Sequence, residues 1–221
     1  PSTTGIVQSA TGDFNADGKP DLAILASSTL SILLNDGAGG FTAGSTYTIP
    51  SGQRGVAIAV GNFLGHTDGT VDLAVLLYPN AIYGAYKVGI YSGNDDGTFA
   101  TPVLSTILTD MSTGGSMVFT AADFNGDGKS DLALVARSTF YVMLAGTGGA
   151  MGSPSSPTLP TGVGLVTAIA SLDYNGDGKP DLVVETGGGL PGSAGSFPDL
   201  VLFQGDGSGG FTAVSTFQLA G

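Results

Sequence analysis

Cysteine is absent from this 221-residue chain, which excludes disulfides, thiol chemistry and Cys-ligated zinc. Export is not excluded, because many bacterial surface proteins lack cysteine. Cations are scarce: six Lys and Arg stand against eighteen Asp and Glu, for a formal net charge of -12. Six scattered cations cannot form the basic footprint that nucleic acid or an anionic membrane surface requires, so both partners are excluded. Charged residues are only 11% of the chain, against roughly 25% in ordinary globular proteins. Neutral Ser, Thr and Gly must therefore cover most of the surface, which suits sheets better than solvated helices. No apolar run approaches the roughly 18 residues needed to span a bilayer, and Leu73 to Tyr78 is among the longest. No basic segment followed by an apolar one opens the chain, so an export signal would have to lie outside these residues.

What the chain does have is 42% apolar residues, enough for a real core, together with 38 Gly and 11 Pro. It also repeats. Asp13-Phe14-Asn15-Ala16-Asp17-Gly18-Lys19-Pro20-Asp21-Leu22 returns from Asp123 to Leu132 and again from Asp173 to Leu182. A degenerate copy runs from Asn62 to Leu73, with two extra residues around His66. The copies begin at 13, 62, 123 and 173, so the units are about 50 residues long. The hairpins Asn35 to Ile49 and Gly205 to Leu219 agree at nine of fifteen positions, and units 2 and 4 are the longer ones. Duplication of a two-unit segment accounts for that alternation.

Each unit contains four short apolar stretches. In the first they are Ile6 to Ala10, Leu22 to Ala26, Leu30 to Leu34 and a stretch opened by Phe41; Phe99, Met151 and Phe211 open the fourth stretch elsewhere. Their lengths, β-branched content and flanking Gly, Asn and Asp predict strands. Four strands per unit of about 50 residues is the arithmetic of propeller blades. The expected fold is all-β: a single domain over 1–221 with blades near 1–50, 51–112, 113–161 and 162–221.

The Asp-Phe-Asn-Gly-Asp-Gly-Lys-x-Asp-Leu pattern, with the turn Gly93 to Phe99, resembles the FG-GAP or VCBS repeats of integrin-like β-propellers. The resemblance covers essentially the whole chain. It implies four-stranded blades with calcium in the loop joining the first two strands. Such propellers usually have seven blades, whereas four are found here.

Read from the residues themselves, each acidic loop places side-chain oxygens at positions 1, 3, 5 and 9, a Gly at 6, and a backbone carbonyl at 7. That is an oxygen cage for a hard cation such as Ca²⁺. Candidate ligands are Asp13, Asn15, Asp17, Lys19 and Asp21; Asp123, Asn125, Asp127, Lys129 and Asp131; and Asp173, Asn175, Asp177, Lys179 and Asp181. Each Lys is expected to offer its carbonyl while its side chain stays in solvent. No EF-hand Glu stands at position 12, so the Asp at 9 is expected to supply the late carboxylate. Loop 2 offers only Asn62, Asp68, Thr70 and Asp72, and Leu64 stands where the others have Asn. Asp-Gly turns alone do not explain three carboxylates and an Asn at alternate positions, which would repel one another without a cation. Eleven of the eighteen acids lie in these loops.

In an up-and-down blade the acidic loops share one face with the turn between the third and fourth strands. The opposite face carries the long loops 78–87 and 186–198, and Tyr78, Tyr83, Tyr86 and Lys87 are the candidate contacts for a glycan or protein ligand. Catalysis is not expected: His66 is the only His, Glu185 the only Glu, and no nucleophile, base and orienter can be assembled. The expected role is extracellular or cell-surface binding or adhesion, the alternative being the propeller domain of a secreted polysaccharide-degrading enzyme. Half-rings of four blades are expected to pair about a two-fold axis as a homodimer with an eight-bladed ring, the alternatives being a closed four-bladed monomer and a piece of a longer ring.

Overall fold

The computed structural model describes residues 5–81, 84–108, 117–136, 139–158, 160, 166–187 and 199–218. Four antiparallel sheets follow one another along the chain. The first contains β1 (Ile6–Gly12), β2 (Asp21–Ala26), β3 (Thr29–Asn35) and β4 (Phe41–Thr48), and the second β5 (Gln53–Gly61), β6 (Asp72–Pro79), β7 (Tyr86–Tyr91) and β8 (Val103–Leu108). The third has β9 (Met117–Ala122), β10 (Asp131–Ala136) and β11 (Thr139–Met143), and the fourth β12 (Val166–Leu172), β13 (Asp181–Thr186), β14 (Asp199–Gly205) and β15 (Phe211–Gln218). Within every sheet spatial order follows chain order, as an up-and-down blade requires. Among the described residues no helix is long and apolar enough to cross a membrane.

Two edges depart from expectation. The fourth strand of blade 2 opens at Val103, not at Phe99, which forms only an isolated bridge with Gly93. Pro102 lies between them and has no N–H to give the ladder. In blade 3 the stretch opened by Met151 contributes the bridges Ala145↔Met151 and Val142↔Ser155 instead of a regular strand. Pro154 and Pro157 flank Ser155, so few donors remain for a fourth ladder.

The chain divides into two compact units, Pro1–Thr113 with Ala145–Gly152, and Gly114–Leu144 with Ser153–Gly221. Apart from Ala145–Gly152, the outer turn of blade 3, the division falls along the two-blade repeat of the sequence. In the first unit the core joins Phe14, Leu25, Leu30 and Ile32 of blade 1 to Ile58, Leu73, Val75 and Phe99 of blade 2. In the second, Phe124, Phe140 and Val142 of blade 3 meet Leu182, Val184 and Phe203 of blade 4. Strand β6 is buried at nearly every position, which is why Leu73 to Tyr78 reads as an unbroken apolar run. Strand β2 alternates buried and half-buried instead.

The acidic loops as a candidate site

The last Asp of each loop is the first residue of the strand that follows, and all four are wholly buried. Burial of a carboxylate is costly unless hydrogen bonds replace water. Asp21 accepts from the amide of Phe14 at 2.9 Å and from the amide of Asn35 at 2.8 Å. Asp181 accepts in the same way from Tyr174 and Gly205, and Asp72 from Leu64 and Gly93. Asp131 accepts from Phe124 at 2.9 Å. The position-9 carboxylate is therefore a bracket between the acidic loop and the end of the blade's third strand. As a metal ligand it would have to use its remaining lone pairs.

The earlier oxygens are set by backbone donors. Asp13 accepts from the amides of Asp17 and Gly18, Asn15 from that of Asp17, and Asp17 from that of Lys19. Asp123 and Asp173 each accept from three amides in the same positions, and Asn125, Asp127, Asn175 and Asp177 repeat the pattern. Each loop thus curls around its own side-chain oxygens. Gly126 and Gly176 take φ +74° and +72°, and in loop 1 the non-glycine Ala16 is held at +56°. Among the described residues no three His, Cys, Asp or Glu side chains cluster as metal ligands. The available donor set is mixed instead: two carboxylates, an amide oxygen and a carbonyl, all hard oxygens of the kind Ca²⁺ takes.

The lysine side chains do not extend freely into solvent. Lys19 Nζ lies 2.9 Å from Asp17 Oδ2 and Lys129 Nζ 3.0 Å from Asp127 Oδ2, while Lys179 donates to the carbonyl of Asp206. The hydrogen bond from each lysine holds Asp17 and Asp127 below the ordinary carboxylate value, and that bond raises Lys19. The amide of Lys179 is the main cause of the lowering at Asp177. A cation from the chain itself thus neutralises part of each of the first and third loops.

Loop 2 is built differently. Asn62 and His66 exchange two hydrogen bonds, His66 N to Asn62 Oδ1 and Asn62 Nδ2 to His66 O, and His66 Nε2 lies 3.3 Å from Asp72 Oδ1. The Thr70 hydroxyl stands 2.7 Å from Asp68 and 2.6 Å from Asp95, a residue of the neighbouring turn that the sequence pattern did not single out. The two extra residues around His66 therefore redirect Asn62 into a local ring. Other overlooked carboxylates, Asp36 and Asp206, fold the turns between the third and fourth strands by accepting from residues two and four positions on. Their signal was the shared Asp-Gly-x-Gly-Gly-Phe of the two hairpins.

Two of the tyrosines expected to meet a ligand pack against each other. Tyr86 lies on β7 and is 1% exposed, so it belongs to the core and is corrected from a contact to a packing residue. Tyr78 packs edge-on against it at 4.7 Å, with the Arg54 guanidinium 4.4 Å from the Tyr78 ring centre. Lys87 is half-buried on the same strand, and Tyr83 lies outside the described residues. A shallow pocket of about 260 Å³ sits beside loop 4, lined by Ala122, Ser171, Leu172, Asp173, Gly178, Lys179 and Pro180.

Three stretches, residues 13–65, 67–134 and 123–184, match the family model of the FG-GAP-like repeat, and residues 165–217 match that of the FG-GAP repeat. Among solved structures, the chain is similar to a lectin of Agrocybe aegerita described by its specific recognition of non-reducing terminal N-acetylglucosamine. The TM-score is 0.64 at 18% identity, covering 97% of this chain and 53% of that one. It is similar also to BBS1N from a complex with ARL6DN, with a TM-score of 0.56 at 15% identity over 97% of this chain and 57% of that one. The chain thus spans little more than half the length of these structures, and at such identities the likeness is one of fold. Among curated protein sequences none matches. With its acidic loop and blade repeated from residue 13 to residue 217, the chain belongs to the FG-GAP repeat family.

Proposed function

We propose that the chain is a calcium-binding, non-catalytic recognition module, extracellular or at the cell surface, whose ligand is a glycan or a protein. The observation that carries this reading is the acidic loop itself. In loops 1, 3 and 4 the oxygens at positions 1, 3 and 5 are oriented by amides of their own turn, so ordering them costs a cation little. Asp13, Asn15, Asp17 and the carbonyl of Lys19, with their counterparts in loops 3 and 4, would hold the ion, which would neutralise the carboxylate charge that Lys19 and Lys129 offset only in part. Three ions would bring the formal charge of -12 to about half that value. A recognition role is supported by the family and by the fold shared with the lectin, whose own ligand is a terminal sugar.

The experiment is calorimetric titration of the chelated protein with CaCl₂, followed by a glycan array read with Ca²⁺ and with EDTA. Three binding events abolished singly by Asp13→Ala, Asp123→Ala and Asp173→Ala are expected, with array signal only in the loaded state. Absence of calcium heat overturns the metal assignment; array silence beside normal calcium binding turns the ligand search to proteins.

A further inference from the structure

The joint between consecutive blades has the same construction in both units. Phe14 of loop 1 meets Phe99 edge-on at 5.5 Å, the amide of Gly97 donates to the Phe14 carbonyl at 2.8 Å, and a Cβ on Gly97 would come within 2.9 Å of Leu34. In the second unit Phe124 meets Phe211 at 5.2 Å, the amide of Gly209 donates to the Phe124 carbonyl at 3.0 Å, and Gly209 lies under Leu144. Each joint therefore has two halves: the aromatic at position 2 of one blade's acidic loop, and the Gly-x-Phe end of the next blade's outer turn.

One half of each kind has no such partner. Phe14, Phe63 and Phe124 are at most 2% exposed, but Tyr174, which holds the same place in blade 4, is 41% exposed. Phe99 is 5% exposed, but Phe41, its equivalent in blade 1, is 51% exposed. A Cβ on Gly39, which shares the positive φ of Gly97 and Gly209, would meet nothing within 4 Å. The sheets behind these two positions match them. Leu22 and Ile24 on β2, and Leu200 and Leu202 on β14, are apolar side chains left half-buried on the side away from their own unit's core. A sheet face meant for water would alternate to polar residues there.

We infer that Tyr174 of one copy of the chain docks on the Gly39–Phe41 turn of a second copy, rebuilding the blade joint between molecules. A second copy is the fitting occupant because both halves of the joint lie on this chain and the joint is already realised twice within it. A two-fold axis would pair Tyr174 with Phe41 in both directions, an isologous arrangement that forms the contact twice and closes the assembly. Each half also carries a cation beside its carboxylates, Lys19 paired with Asp17 near the first and Lys179 bound to the carbonyl of Asp206 near the second.

Sedimentation equilibrium of the full chain across the micromolar range tests this, with Phe41→Asp and Tyr174→Asp as variants. Both side chains are exposed, so circular dichroism is expected to be unchanged. The native chain is expected near twice its 21.8 kDa mass, and each variant near the single mass. A charge forced into the apolar joint should weaken association by at least about tenfold. Mixing the two variants should restore a dimer, because Tyr174 of one and Phe41 of the other still form one intact joint. Persistent monomer in the native chain, or variants that dimerise as tightly as it does, would overturn the inference. An Ala38→Cys/Leu172→Cys chain, which keeps both Phe41 and Tyr174 and replaces exposed neighbours of each, should give a covalent dimer with a short bismaleimide; a cross-linked monomer would show that the chain closes on itself and would equally overturn the inference.

Discussion

Asp181 and Asp177 are four residues apart and have opposite duties. Asp181 is buried and satisfies two amides, so Asp181→Ala leaves both donors unpaired and should destabilise the protein by about 3 kcal/mol. Asp177 is exposed, and Asp177→Ala should change urea stability little without calcium while weakening calcium binding. Equal stability losses would contradict the division of labour. Ala16 offers a second check: it sits at φ +56° where loops 3 and 4 have glycine, so Ala16→Gly should gain up to about 1 kcal/mol in chemical denaturation. The pH dependence follows from the loop and turn carboxylates. Asp17, Asp36, Asp68, Asp96, Asp127, Asp177 and Asp206 are all held below the ordinary carboxylate value by hydrogen bonds. A depressed folded-state value stabilises above the unfolded value and is lost as pH falls through the folded one. The Tm should be flat from pH 7 to about 5 and drop below about 4; a drop beginning at neutral pH would point to another group.

At the scale of elements, most of the fold was legible because a blade is a local object. Four short strands separated by turn residues declare themselves without knowledge of any distant contact, and the observed strands begin within a few residues of the apolar stretches. The exceptions have a common cause. Whether Phe99 or Met151 starts a ladder depends on prolines that withhold donors, and whether Tyr86 is a contact or a core residue depends on which neighbour covers it. The burial of the position-9 Asp was equally hidden, since its partners Asn35 and Gly205 lie 14 and 24 residues away. Phe14 and Phe124 show the same limit: their motif is local, but their energetic role is to pin the next blade. Truncation of Phe124 to Ala removes a fully buried ring and should cost about 3 to 5 kcal/mol in urea unfolding. A loss no larger than that of an exposed aromatic would show that the interblade ring pair contributes little.

For the whole molecule the net charge of -12 raises a question that composition alone does not answer: whether cations stabilise the protein by screening or by binding. Screening acts on all exposed charges and depends only on ionic strength, so NaCl at matched ionic strength would do as much as CaCl₂. Binding is specific and follows mass action, contributing about 2.7 kcal/mol per site at a free concentration of one hundred times Kd. The loops favour binding, because their hard oxygens are already turned inward and because Mg²⁺, which demands a tighter octahedron, suits a curled nine-residue loop poorly. The expected outcome is a Tm that rises with CaCl₂ in the presence of constant high NaCl, rises much less with MgCl₂, and returns to its starting value with EDTA. The rise should shrink by about a third in each of Asp13→Ala, Asp123→Ala and Asp173→Ala, since each removes one of three equivalent sites. If NaCl alone reproduces the calcium effect, the acidic loops are structural turns whose charge is merely screened, and Lys19 and Lys129 are the only cations loops 1 and 3 engage.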